Sequence, residues 1–166
     1  MRRAGFYLLL ACAVADVGCA DSKRYADKDK LVQDYIADLR AGNAGGVLGL
    51  TYTTGLPAED FQVTELWTRT TTESASRVLN DARNGEMRVE KIETIAPGLP
   101  GQPLTSIGGR MVGYQIPPTL SVGILFSNPT GRISYMEQLG IFERDGRYWI
   151  CPFTYLNNAA KAPQAK

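Results

Sequence analysis

Apolar residues recur along the first half of the chain with the period of a helix. In the segments 27–41 and 63–82 they lie three or four positions apart, which is the spacing of an amphipathic helix. Gly42 supplies a helix end and Asn43 a new N-cap, so a short helix is predicted between the two segments, over Ala44–Leu50. The sequence therefore predicts three helices.

From Glu86 onward the period changes to that of β-strands. Turns rich in proline, glycine, aspartate and asparagine separate five strand candidates, over 87–95, 107–116, 119–127, 132–143 and 147–153. Helices followed by successive hairpins predict an α+β fold, in which N-terminal helices pack on an antiparallel sheet of about five strands.

The last hairpin is predicted in most detail. A two-residue Asp145-Gly146 turn places Phe142 opposite Trp149, and Ile141 opposite Ile150. Both faces of the hairpin then carry large apolar side chains, whereas a sheet with one face in water alternates apolar with polar residues. We therefore expect helices on one face and a second apolar environment, a pocket or a partner, on the other.

The N-terminus has the pattern of an export signal. Arg2 and Arg3 precede an uncharged run of ten residues, 6–15, which ends among small residues. Such a run spans about 15 Å as a helix, roughly half of a bilayer core, which argues against a permanent membrane-spanning helix.

Two cleavage sites remain open. Cleavage after Ala15 would release a soluble secreted protein, whereas the stretch around Cys19 resembles the lipobox of bacterial lipoproteins, with Asp16 as a departure from that pattern. We favour lipidation of Cys19, which predicts an anchor at the outer face of the cell membrane. The expected organisation is an export signal over 1–18, a polar tether over 19–26, a folded domain over 27–153 and a flexible tail over 154–166.

Composition excludes several chemistries. The 166 residues include 18 Lys and Arg against 17 Asp and Glu, and a net charge of +1 argues against nucleic acid as a partner. There is no histidine, which excludes Ser-His-Asp and Cys-His catalysis and histidine-based metal sites within this chain. Neither a metal nor a cofactor is expected. If Cys19 is lipidated, Cys151 is a lone buried thiol; if cleavage follows Ala15, these two cysteines could form a disulfide.

Three stretches of sequence carry a resemblance to a known family. They are the helix junction YIADLRAGNA from Tyr35, the EMRVEKI stretch from Glu86 and the hairpin FERDGRYWIC from Phe142. In this order they resemble the nuclear-transport-factor-2-like superfamily, specifically its small exported bacterial lipoproteins, over 27–153. The resemblance implies a cone in which a curved sheet wraps a helix and leaves a cavity at the wide end. Family members often carry a cysteine on the second helix, whereas the segment 44–50 has none.

The expected cavity leads to three hypotheses about function. We favour a non-catalytic domain at the cell envelope that binds a small apolar ligand or an envelope protein, with the ligand site lined by Trp67, Val122, Ile124 and Phe126. One alternative is a surface protein that blocks or modulates another envelope component. The other is a metal-free isomerase or dehydratase that uses a cavity carboxylate and a tyrosine, from among Tyr35, Tyr52, Tyr114 and Tyr135. A buried Asp or Glu beside a tyrosine in the cavity would favour the enzyme; we expect the acids to be exposed.

Overall fold

The computed structural model describes residues 26–97 and 104–156, which form helices followed by strands. The helices are α1 (Lys28–Ala41), α2 (Ala44–Leu50) and α3 (Ala58–Asn80), and a 3-10 turn over Ala82–Asn84 follows α3. The predicted α+β class is therefore confirmed.

Side-chain caps fix the junction between the first two helices. Asp27 starts α1, because its carboxylate accepts a hydrogen bond of 2.8 Å from the backbone N–H of Asp29. Gly42 ends the helix in the left-handed region, with φ at 66°. Asn43 then caps α2 by accepting from the backbone N–H of Gly46 at 3.0 Å. This sharp turn sets α2 against both α1 and α3.

The strands form two antiparallel sheets. A four-stranded sheet has the order β1-β4-β5-β6, and a three-stranded sheet has the order β2-β3-β7. The strands are β1 (Arg88–Ile95), β2 (Thr105–Ile107), β3 (Arg110–Tyr114), β4 (Leu120–Ser127), β5 (Ser134–Arg144), β6 (Arg147–Ile150) and β7 (Phe153–Tyr155).

Two predicted strands are each divided in the structure. The strand predicted over 107–116 is interrupted at Gly108 and Gly109, whose φ values of 56° and 78° form the two-residue turn of the β2–β3 hairpin. The strand predicted over 147–153 stops at Ile150, because Pro152 has no N–H for a sheet hydrogen bond, and resumes as β7 in the other sheet. The structured domain also continues to Tyr155, past the expected boundary at residue 153.

Two hydrophobic cores lie under the helices. The larger one fills the space between α1, α2 and the four-stranded sheet, and it includes Leu31, Leu39 and Ile141. The smaller one lies between α3 and the three-stranded sheet, around Val63, Val112 and Phe153. The 23-residue helix α3 contributes to both, with Val63 in one and Ala75 and Leu79 in the other.

The predicted register of the last hairpin is confirmed, with Phe142 opposite Trp149 and Ile141 opposite Ile150. Ile141 and Ile150 face the larger core. On the other face, the Tyr52 ring stands edge-on to Phe142 and to Trp149, at centroid distances of 5.4 and 5.6 Å. The second apolar environment that we expected as a pocket or a partner is therefore supplied here by the chain's own Tyr52.

Several sequence predictions concern residues outside the described ranges. The export signal, Cys19 and most of the tether precede residue 26, and most of the predicted tail follows residue 156. Cys151 is described, and it is 0% exposed. Burial raises the pKa of its thiol. Across residues 26–97 and 104–156, no helix has both the length and the apolar character needed to cross a membrane.

Candidate functional site

A cavity of about 240 Å³ opens where the two hydrophobic cores meet. Its lining combines Tyr35 and Leu139, which belong to the larger core, with Trp67, Tyr114 and Phe153, which belong to the smaller one. Because α3 passes from one core to the other, the gap between them remains open beside this helix. The cavity is thus a product of the two-sheet arrangement.

The cavity contains a buried carboxyl group, that of Glu137. Strand β5 places Glu137 on the same face as Leu139 and Ile141, since side chains two positions apart point the same way. The residue is 9% exposed. Its Oε1 accepts a hydrogen bond of 3.1 Å from the Tyr35 hydroxyl, and its Oε2 accepts one of 2.5 Å from the Tyr135 hydroxyl. A carboxylate and two phenols therefore form one hydrogen-bonded cluster.

Burial controls the ionisation of this cluster. It raises the pKa of Glu137 above the ordinary value of 4.5, and the hydrogen bonds from Tyr135 and Tyr35 oppose that rise. Burial also raises the pKa values of Tyr35 and Tyr135, and that of the nearby Tyr114 to about 12. The phenols therefore stay protonated at neutral pH and act as hydrogen-bond donors, which leaves Glu137 as the group that titrates.

Among the described residues, no lysine or arginine lines the cavity beside the carboxyl group of Glu137. Within the part of the chain that the structure describes, the ion pairs join other acids to other bases, and Glu137 takes part in none of them. The same part of the chain brings together no group of three or more metal-ligating His, Cys, Asp or Glu residues.

Helix α3 presents threonines to the cavity, namely Thr68, Thr71 and Thr72. The run 70–72 is β-branched, yet the helix continues through it because Thr72 packs in the interior, at 0% exposed. The buried Thr72 hydroxyl oxygen has no hydrogen-bond partner among residues 26–97 and 104–156. One turn earlier along the same face, Thr68 is 4% exposed. Thr72 therefore leaves unused hydrogen-bonding capacity at the cavity wall.

The structure separates the four residues predicted to line one ligand site. Trp67 lines the cavity. Ile124 and Phe126 are 0% exposed in the larger core, and Val122, also in that core, lines a separate pocket near the start of α1. The physical reason is that β4 lies between β1 and β5, so that α1 packs on its inner face. The structure thus places Trp67 at the cavity and the other three residues in the larger core.

Glu137 is the residue that sequence reasoning missed, and the expectation that the acids are exposed is corrected by it. A signal was available. The predicted strand 132–143 places residue 137 on the same face as Leu139 and Ile141, which were assigned to an apolar face. Among the four tyrosines considered, Tyr35 and Tyr135 bind this carboxylate, Tyr114 lines the cavity, and Tyr52 lies on the outer side of the last hairpin.

Comparisons with known proteins give one structural match. No family model matches the chain, and no curated protein matches it significantly. Among solved structures, the chain is similar to a Campylobacter jejuni protein described as a candidate NTF2-like transpeptidase, at 10% identity and a TM-score of 0.47. The match covers 74% of this chain and 94% of that chain. The helices-then-sheet architecture of this chain agrees with the fold that the sequence resemblance implies; the activity in the description belongs to that protein.

Proposed function

We propose that this chain is an exported domain, anchored to the cell envelope through Cys19, whose cavity binds a small molecule with an apolar body and one polar group. The observation that carries the binding proposal is the buried carboxyl group of Glu137 in an otherwise uncharged cavity. A few fixed polar groups within apolar walls are typical of sites that bind and orient small molecules.

The size of the cavity limits the ligand. At about 240 Å³, it lies just below the range of roughly 300–1,000 Å³ that is usual for sites of drug-sized ligands. Apolar contact is available from Trp67, Leu139 and Phe153, and polar contact from Glu137. The ligand is therefore smaller than a drug-sized molecule.

A second candidate function is metal-free proton transfer of the isomerase or dehydratase type. The specific observation in its favour is that Glu137 is buried beside Tyr35 and Tyr135. A buried carboxyl group beside a tyrosine is the arrangement that the sequence analysis associates with an enzyme. In an isomerisation, the carboxylate would take a proton from one carbon of the bound molecule and return it to another. We place binding first because both carboxylate oxygens already accept hydrogen bonds from tyrosine hydroxyls, so a carbon-bound proton would have to compete with these donors for either oxygen.

The binding proposal can be tested by closing the cavity. Thr71 lines the cavity from α3, and a Thr71→Trp substitution would fill much of it. Thr70 is its exposed neighbour on the same helix, so Thr70→Trp is the matched control. We expect a panel of small molecules to include some that raise the melting temperature of the wild type and of Thr70→Trp but not of Thr71→Trp. Equal responses in all three proteins would place binding elsewhere, and the absence of any response would refute the proposal.

The two candidate functions separate in deuterated water. An isomerase would exchange carbon-bound protons of its bound molecule for deuterium, which NMR detects, and Glu137→Gln would abolish this exchange. A binding domain would hold the same molecule without exchange in either protein. Exchange that depends on Glu137 would therefore replace the binding proposal with the enzyme.

Anchoring through Cys19 has its own test. Cells that produce the full chain would be labelled with a fatty-acid probe, with Cys19→Ala as the control. The intact mass of the mature protein would be measured by mass spectrometry. We expect label and lipid mass only with Cys19 present. An unlabelled product that begins at Asp16 would refute the anchor and leave Cys19 available for a disulfide with Cys151.

A further inference from the structure

Among the described residues that line it, the cavity holds a buried acid and no base. We propose that its ligand is a small organic cation, an alkylammonium or quaternary ammonium compound, with its charge near Glu137 and its alkyl groups against Trp67, Tyr114 and Phe153. This inference rests on the proposed binding function and names the chemical class of the ligand.

The buried carboxylate of Glu137 favours a ligand of positive charge. A carboxylate removed from water loses hydration energy, which a nearby cation can restore. Two basic residues of the neighbouring elements are engaged elsewhere. Arg40 of α1 donates to the Met87 carbonyl oxygen at 2.9 Å, and Arg110 of β3 pairs with Glu59 at 3.0 Å. A cationic ligand would therefore supply the charge that the lining of the cavity does not.

The aromatic side chains of the cavity also favour a cation. The Trp67 and Phe153 rings lie 5.2 Å apart between centroids, and the Tyr114 ring is stacked on Phe153 at 5.5 Å. All three line the same cavity as Glu137. Aromatic faces attract alkylammonium groups through the negative potential of their π-systems, most strongly where water is excluded. Carboxylate and aromatic groups in one small cavity thus favour the same kind of ligand.

The same geometry disfavours other ligands. A fatty acid or another anion would place a second negative charge near Glu137, and two close carboxylates cannot both stay ionised without a large cost. A purely apolar molecule would leave the Glu137 carboxylate without a counter-charge. The inference therefore separates cations from the lipid-like acids that a simple apolar pocket would accept.

Choline and 3,3-dimethylbutan-1-ol form a suitable pair of probes. The two molecules have the same shape. Choline has a positively charged nitrogen at its branched centre, and 3,3-dimethylbutan-1-ol has a neutral carbon there. Trp67 lines the cavity and can report binding by fluorescence, and the chain's other tryptophan, Trp149, is removed by Trp149→Phe. All variants are compared in this background, as the full mature chain.

We expect choline to bind at least about tenfold more tightly than its neutral analogue, since charge and cation–π attraction are together worth more than about 1.4 kcal/mol in a partly dry site. Glu137→Gln is expected to lower the affinity for choline about tenfold and to change the affinity for the neutral analogue less than about twofold. Circular dichroism is the control that checks whether this variant is folded. Thr71→Trp is expected to abolish binding of both probes, and Thr70→Trp to change neither; because each of these variants adds a tryptophan, their binding is measured by isothermal titration calorimetry.

Three results would overturn the inference. Equal or tighter binding of the neutral analogue would show that the cavity binds small molecules without selecting a cation, which leaves the proposed function intact. If a folded Glu137→Gln protein binds choline with unchanged affinity, Glu137 does not contribute to the binding site. If neither probe binds, the cation is refuted, and the response of Thr71→Trp to the wider panel of small molecules decides separately whether the cavity binds anything.

Discussion

Removal of a single hydroxyl, in Tyr35→Phe, tests whether the buried cluster contributes to stability. The Tyr35 side chain is 4% exposed, and its hydroxyl donates to Glu137 Oε1 at 3.1 Å. The substitution leaves the ring in place, so the packing of the larger core is preserved. What it removes is one of the two hydroxyl donors to a carboxylate that has little access to water.

The expected cost follows from that geometry. A hydrogen bond to a charged buried group contributes about 1.5–3 kcal/mol, and an acceptor left without its donor keeps its full desolvation penalty. We therefore expect Tyr35→Phe to lower the free energy of unfolding by about 1.5–3 kcal/mol at a pH where Glu137 is ionised. The cost should shrink at a pH where Glu137 is protonated, because the neutral carboxyl group depends less on the donor.

The pH dependence has a definite sign. Burial raises the pKa of Glu137 above its unfolded value of 4.5, so the folded state binds this proton more tightly than the unfolded state does. The contribution of Glu137 to stability is therefore most favourable below pH 4.5 and is lost as the pH rises through its folded pKa. The Tyr35 hydroxyl lowers this pKa, so Tyr35→Phe should extend the loss to higher pH.

Urea denaturation followed by circular dichroism measures these effects. It would be carried out from pH 4 to pH 8 on the wild type, Tyr35→Phe, Glu137→Gln and the double variant. We expect a non-additive cycle at neutral pH, because Tyr35 acts on the carboxylate. Additive costs in the cycle, or a cost of Tyr35→Phe that is the same at every pH, would show that the contact with Glu137 is not what the hydroxyl contributes.

Three further substitutions test the packing by urea denaturation. Trp149→Ala should cost about 2–4 kcal/mol, near the lower end for a tryptophan, because the side chain is only partly buried against its neighbours; an unchanged midpoint would contradict the packing of the last hairpin. Gly140→Ala would place a Cβ 2.6 Å from the Tyr114 ring and should cost about 1–3 kcal/mol while weakening ligand binding; unaltered binding would mean that Tyr114 does not shape the site. Phe126→Ala should cost about 3–5 kcal/mol because the ring is 0% exposed; an unchanged midpoint would contradict its place in the larger core.

Local signals in the sequence predicted much of the fold. Gly42 and Asn43 act through their own backbone and nearest neighbours, so the junction between α1 and α2 follows from sequence alone. The register of the last hairpin follows equally from the Asp145-Gly146 turn, where both residues have positive φ. The Gly108-Gly109 turn gave the same kind of signal, but it was included within a longer strand.

The candidate site could not be derived in the same way, because it depends on contacts distant in sequence. Tyr35 and Glu137 are 102 positions apart, and only the packing of α1 on β5 joins them. The division of the strands into two sheets is equally non-local, and it opens the cavity beside α3. Periodicity could place Glu137 on the inner face of its strand, but not identify the tyrosines that it meets.

The most direct measurement is an NMR titration of the Glu137 side chain, followed through its ¹³C-labelled carboxyl carbon and assigned with Glu137→Gln. We expect the pKa in the free protein to lie above the ordinary value of 4.5, because the group is buried. Saturation with choline should then lower the pKa, because a cation beside the group favours its charged form. A pKa at or below the ordinary value, unchanged by the ligand, would contradict both the buried acid and the cation that we propose to bind it.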